Sequence, residues 1–493
     1  MSIASLLNLE ERVVSILDWN GTISLADAIE QARMEGKELY IQPGSYNRGF
    51  TSISTGGNAG SRPLRMYATP RTVTFNFTAD DLFFWVENVS DVEIEGIDFD
   101  GKNRALSAFP RPGLITAVGA SNLVIRNCRF FNSTQVGLRL QDCGTRRSSG
   151  FAKDGNELAR PSALVENCAF EKCADTAIHT YGSPALRVTH SVFTNLNNNG
   201  IQIEQDTPSY NGTIISGNSF SDIRAENGGS GPFGNAVSLF RVNDCLVEGN
   251  TIHFATFSAV RANVCAGTVI QGNNCYGIGE VALYVEETPA AAGNNIAVGN
   301  IVANNFIDWC GQGISVANFM SGARNVSITG NIIRNCRTLS ASRGLPDIRG
   351  IGISAEADAV VSGNTVECAQ RFGIIAGAGT YSRNLVITDN VIRSTPVGIV
   401  VSEQTGAATS AVNQAGYTLI SNNMIQVTSS NVNDGIVTSN YAGTDTSFAI
   451  VSRKDQITST AYPRIALPAT NVLHNMATPS MGTDSCRTTP PFG

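Results

Sequence analysis

The sequence predicts an all-β solenoid, a chain wound into about ten or more stacked coils of short parallel strands. Two recurring patterns and the composition carry that expectation. The first pattern is a phrase ending in Asn. It reads Ile-Arg-Asn-Cys at 125–128 and Val-Glu-Asn-Cys at 165–168, then Ser-Gly-Asn at 216–218, Glu-Gly-Asn at 248–250 and Gln-Gly-Asn at 271–273. It continues at 298–300, 329–331, 362–364, 388–390 and 421–423. The second pattern is an alternating segment: GLRLQD (137–142), AIHTYG (177–182), GIQIEQ (200–205), AVSLFR (236–241), AVRANV (259–264) and ALYVEE (282–287). GISVAN (313–318), GISAEA (352–357), GIIAGA (373–378) and GIVVSE (398–403) extend it. The composition, with 48 Gly and only 15% charged residues, suits a chain of many turns and few exposed helices.

Asn and Gly both tolerate the left-handed backbone, so the Asn phrase predicts a tight bend between two strands. Asn side chains stacked at equivalent bends would bond to one another and to buried backbone groups. Eleven cysteines cannot all pair within the chain. Cys128, Cys168, Cys275 and Cys336 each follow an Asn and read as small buried residues. No zinc spacing is present, and neither a metal nor a cofactor is expected.

In chain order, residues 1–45 read as an N-terminal cap, 46–430 as the coils and 431–493 as an irregular C-terminal cap or tail. Ser24 with Asp27 three residues on resembles a capping box, and Leu25, Ala28, Ile29 and Ala32 recur at helical spacing before Gly36. An amphipathic helix there would cover the open end of the core. Long insertions at 143–161, 223–234, 338–350 and 404–416 flank the alternating segments, whereas the Asn bends stay short. Long loops beside one sheet predict a groove on that sheet.

The net charge of −7, without a basic stripe, argues against a nucleic-acid partner. No apolar run is long enough to span a membrane, and no signal peptide is visible at the N-terminus.

Alternation points the third and fifth residues of each segment outward. The middle coils then present Arg139 and Gln141, His179 and Tyr181, Gln202 and Glu204, Phe240, Arg261 and Asn263, and Tyr284 and Glu286. Equivalent residues should lie roughly 5 Å apart, so His179 stacks with Gln202 and Tyr181 with Glu204. Glu204 and Glu286, three coils apart, should be separated by about 14 Å. That exceeds the span of about 5–9.5 Å of a glycosidase carboxylate pair. Two clusters emerge instead. His179, Tyr181, Glu204 and Asp206 are the candidate catalytic residues, suited to general acid–base chemistry. Arg139, Gln141, Gln202, Phe240, Arg241, Arg261, Asn263, Tyr284 and Glu286 are the candidate substrate-binding residues; the Arg261 fork suits a sugar carboxylate. Abstraction of a proton beside a uronate carboxyl fits this set. Hydrolysis with Glu204 and Asp206 as the carboxylates fits it equally.

The repeat resembles the pectate-lyase-like right-handed parallel β-helix superfamily, and the opening Leu-Tyr-Ile-Gln-Pro-Gly-Ser-Tyr at 39–46 is similar to the entry of many members. The resemblance implies a single-stranded right-handed parallel β-helix. Over roughly 220–400, the strings GNAVSLFR, FSAVRANV, GEVALYVEE and GISVANF resemble a bacterial family of twin-arginine-exported β-helix repeat proteins. That likeness implies a periplasmic or secreted location but no activity. The motifs of polygalacturonases, alginate epimerases and pectate lyases are absent. The expectation is a carbohydrate-active enzyme acting on a poly- or oligosaccharide as hydrolase, lyase or cyclising transferase. The alternative is a non-catalytic glycan-binding or tailspike-like protein, and a homo-oligomer (dimer or trimer) is among the expected partners.

Overall fold

The computed structural model describes residues 15–55, 59–60, 62–106, 110–144, 160–227, 233–287, 299–317, 325–338, 349–378, 384–402, 418–439, 450–457, 465–475 and 486. Most of the insertions at 143–161 and 338–350, all of 404–416, and residues 228–232 of the insertion at 223–234 lie outside them. The chain forms two compact units, Met1–Glu171 with Ser183–Leu186, and Lys172–Gly182 with Arg187–Gly493.

In the first unit, strand Ile16–Trp19 pairs in parallel with Glu38–Ile41, and the stack continues through Leu64–Tyr67, Val92–Glu95, Leu123–Arg126 and Ala163–Glu166. Two further parallel stacks, one ending at Arg129–Ser133 and one at Val136–Gln141, complete the coils. Phe99, Phe130 and Phe170 stack face to face inside, with centroids 5.1 and 4.7 Å apart. Helix α1 spans Leu25–Glu35; the Ser24 hydroxyl accepts from the Asp27 N–H at 3.0 Å, and Gly36 ends it in the left-handed conformation. Leu25, Ala28, Ile29 and Ala32 are buried as the spacing predicts. Arg33, four residues after Ile29, is buried on the same face, which its charge conceals in the sequence. Its guanidinium donates to the carbonyls of Arg62, Ser54 and Gly60, so the charge is solvated by backbone.

In the second unit a coil holds three strands, as in Leu246–Glu248, Thr251–Ala255 and Val260–Asn263, or two where the second and third run together, as in Asn274–Glu286 and Phe306–Ala317. Asn218, Asn250, Asn273, Asn305, Asn331, Asn364, Asn390, Asn423 and Asn471 form a continuous buried ladder. From Asn218 to Asn423 each amide nitrogen donates both to the next Asn Oδ1 and to a carbonyl of the preceding coil; for Asn305 these are Asn331 Oδ1 at 2.9 Å and the Ile270 carbonyl at 3.0 Å. Two readings of the ladder are corrected here. Asn300 is not a rung; it accepts from the Thr268 N–H, and Asn305 takes the rung. Asn127 and Asn167 have φ near +53°, matching Gly217, Gly249 and Gly272 one residue before their rungs. They therefore occupy the bend, and Cys128 and Cys168 stand at the rung position. Those thiols donate to the Ile94 and Ile125 carbonyls, as the rung amides do to theirs.

The coils end irregularly. Strand Ile436–Ser439 pairs in parallel with Val397–Ser402 and antiparallel with Ile450–Arg453, while Val472–Asn475 adds to Met424–Val427. A disulfide joins Cys368 to Cys486, and the other nine cysteines are buried thiols outside any disulfide.

Candidate functional site

The third strand of each coil in the second unit carries the alternating segments, and its register places the candidate residues. His179 is level with Gln202, then Ser238, Arg261 and Tyr284; Tyr181 is level with Glu204, then Phe240, Asn263 and Glu286. The expected columns hold, including the three steps between Glu204 and Glu286. The first column is far less exposed than a free sheet face: His179 is 3% and Gln202 2% exposed. Arg139 and Gln141 belong to the first unit, where the Arg139 guanidinium donates to Gln141 Oε1 at 3.2 Å.

The contacts in the first cluster run diagonally rather than straight along the columns. His179 Nε2 lies 3.0 Å from Glu204 Oε2, and the Tyr181 hydroxyl donates to Asp206 Oδ1. Glu204 Oε1 accepts from the Gln202 amide. Asn199 Nδ2 donates to Gln202 Oε1 at 3.1 Å, which turns the nitrogen of that amide toward Glu204. Asn199 is itself held through its Oδ1, which accepts the Asn235 backbone N–H at 2.9 Å. Asn199 and Asn235 are absent from the candidate set, although each directly precedes or nearly precedes an alternating segment. Arg241 donates to the Asp206 carbonyl at 2.9 Å and lies over the Phe240 ring. A histidine and a tyrosine, each on its own carboxylate, make a site able to take and give protons.

In the second cluster Glu286 is the hub. Arg261 Nε donates to it at 2.7 Å and Asn263 Nδ2 at 3.0 Å, and the Tyr284 hydroxyl also bonds to it. Burial, and then the neighbouring Glu286 carboxylate, push the Tyr284 hydroxyl well up, so it stays protonated and serves as a donor. Arg261 also stands over the Tyr284 ring. Two residues outside the predicted set join this region. Arg349 donates to Glu280 Oε1 at 3.0 Å and to Gln312 Oε1 at 3.2 Å. Arg349 comes from an insertion and Glu280 from an irregular stretch of its strand, so neither obeys the alternation that revealed the others.

Toward the C-terminal coils the same columns turn apolar. Ile375, Val400 and Val437 point away from the coil interior and are nevertheless buried, clustered with Ile351, Phe372 and Val397. The polar floor is thereby confined to the middle coils.

A family model for the right-handed beta helix region matches residues 76–220 and 157–318. The chain folds as a right-handed parallel β-helix. This β-helix protein is similar to the pre-mature gene product 12 of bacteriophage phi29, at 14% identity and a TM-score of 0.50, over 87% of this chain and 56% of that one. It thus spans little more than half the length of the phage protein. The A-module of the Azotobacter vinelandii mannuronan C-5 epimerase aligns over 85% of this chain and 87% of its own, at 13% identity and a TM-score of 0.36. An alginate lyase solved in complex with G6 aligns over 95% and 96%, at 12% identity and a TM-score of 0.43. At such identities the likeness concerns fold alone. No curated protein matches the β-helix protein in sequence.

Proposed function

We propose that this β-helix protein is a carbohydrate-active enzyme that cleaves or rearranges a poly- or oligosaccharide lying along the third-strand sheet of the second unit. The observation that carries this reading is the double grip on Glu204 by His179 and Gln202, beside the Tyr181–Asp206 pair. Four side chains able to exchange protons are held within one pair of neighbouring coils, and three further coils supply Phe240, Asn263 and Tyr284 as a binding surface. A solenoid face that served only as scaffold has no need of such a cluster. A polysaccharide substrate also agrees with the periplasmic or secreted location that the sequence resemblance implies.

The test is turnover of purified polysaccharides by the protein and by Glu204→Gln and His179→Ala. Both substitutions should leave folding intact and lower turnover by about 100-fold or more, the scale of general acid–base catalysis. Full activity in both variants would remove these residues from the site. Glycan binding without turnover by the unsubstituted protein would favour a non-catalytic receptor.

A further inference from the structure

Resting on the carbohydrate reading above, we infer that the groove takes a neutral glycan, and that the reaction is hydrolysis or glycosyl transfer rather than β-elimination.

β-Elimination requires a uronate. Its carboxylate must be met by a cation or strong donors, so that the neighbouring proton can leave. Among the described residues of this floor, the guanidinium groups already serve protein groups. Arg261 is bound to Glu286, which also accepts from Asn263 and Tyr284. Arg349 is bound to Glu280 and Gln312. Arg241 donates to the Asp206 carbonyl and covers one face of Phe240. The Arg261 and Glu286 side chains are only 15% and 9% exposed, so turning Arg261 to a substrate would strand a nearly buried carboxylate. These three arginines also face four carboxylates, Glu204, Asp206, Glu280 and Glu286, and the whole chain carries −7. An acidic polymer would be repelled by these carboxylates and, among the described residues of the floor, would find its guanidinium partners already committed.

A neutral sugar needs only a ring face and hydroxyl partners, and the Phe240 ring with the Glu204 and Asp206 carboxylates supplies both. Glu204 and Asp206 are two residues apart on one strand, where backbone positions stand roughly 7 Å apart, a spacing compatible with the carboxyl separation of about 5–9.5 Å in glycosidases. In the reaction the glycosidic C–O bond breaks and the leaving oxygen takes a proton from the Tyr181–Asp206 pair. Water, or a sugar hydroxyl in transfer, gives its oxygen to the anomeric carbon and its proton to Glu204.

The experiment sets the full-length protein against neutral polysaccharides (a β-glucan, xylan, mannan and inulin) and acidic ones (alginate, polygalacturonate and hyaluronan). It reads affinity-electrophoresis retardation, reducing-end release and the ultraviolet absorbance of unsaturated uronates. Retardation and reducing-end release with a neutral glycan, without that absorbance, are expected. Retardation or turnover with acidic polysaccharides in preference overturns the inference and leaves the carbohydrate reading standing. No response to either set overturns both. Glu286→Gln and, independently, Glu280→Gln should free a guanidinium and raise apparent affinity for an acidic polysaccharide about tenfold. Unchanged affinity in both folded variants would overturn the pairing argument.

Discussion

His179 Nε2 and Glu204 Oε2 lie 3.0 Å apart across two neighbouring coils, while the other Glu204 oxygen is held by Gln202 from its own strand. The carboxylate cannot swing toward one partner without leaving the other. Gln202→Leu keeps the volume and removes the donor. It should lower kcat by about tenfold, the worth of one hydrogen bond to a charged group, with KM little changed. A Gln202→Leu/Glu204→Gln double variant no slower than Glu204→Gln alone would show that the amide acts through Glu204.

Asn199 sits one step further back. Asn199→Ala would leave the Asn235 N–H and Gln202 Oε1 without their buried partner, at a cost of about 1–3 kcal/mol. Chemical denaturation should show that loss together with reduced turnover. Loss of stability with undiminished turnover would make Asn199 purely a corner residue.

The Asn ladder should behave oppositely. Asn305→Ala removes donors to Asn331 Oδ1 and to the Ile270 and Ala303 carbonyls, and the acceptor used by Asn273. All are buried, so a loss of roughly 3 kcal/mol is expected. Glycan turnover at low temperature should stay within twofold of the unsubstituted protein.

The ladder also marks where sequence reading ran short. Its period and its bend chemistry were legible, because left-handed backbone and small polar residues are local requirements. Which Asn became a rung was not legible at Asn127, Asn167 and Asn300. An Asn suits both the left-handed bend and the rung one residue later, and only the bonds to the adjacent coil separate the two. The columns of the third-strand sheet were legible because alternation is also local. The diagonal pairs were not, because the reach of each side chain depends on where it sits between coils.

The buried thiols predict a pH dependence. Burial pushes Cys143 up to about 11, and Cys265 and Cys275 up to about 12, from an ordinary value of 9.0. A group raised in the folded state contributes stability that is fully present below the unfolded value and lost as pH rises through the folded one. Melting temperature should therefore be insensitive to these thiols below about pH 9 and fall between about 9 and 12. Cys265→Val with Cys275→Val should soften that fall. At pH 8 a thiol reagent should label none of the nine cysteines outside the disulfide until denaturant is added.

The Cys368–Cys486 disulfide closes 118 residues of chain. Cys486→Ser should lower stability by about 2–5 kcal/mol, the range for a long closed loop. An unchanged denaturation midpoint would mean that the reduced chain holds the same closure by other contacts.

The sequence by itself determined the coil period, helix α1 and which residues share a column of the alternating segments. Each follows from rules that act within a few residues: alternation of side chains, helical spacing, and the backbone tolerance of Gly and Asn. Only the tertiary structure decided the partners. His179 meets Glu204 across 25 residues, and Arg349 meets Glu280 across 69. Insertions of unequal length separate such residues along the chain. Their contact is therefore set by the stacking of coils, not by any spacing that the sequence displays.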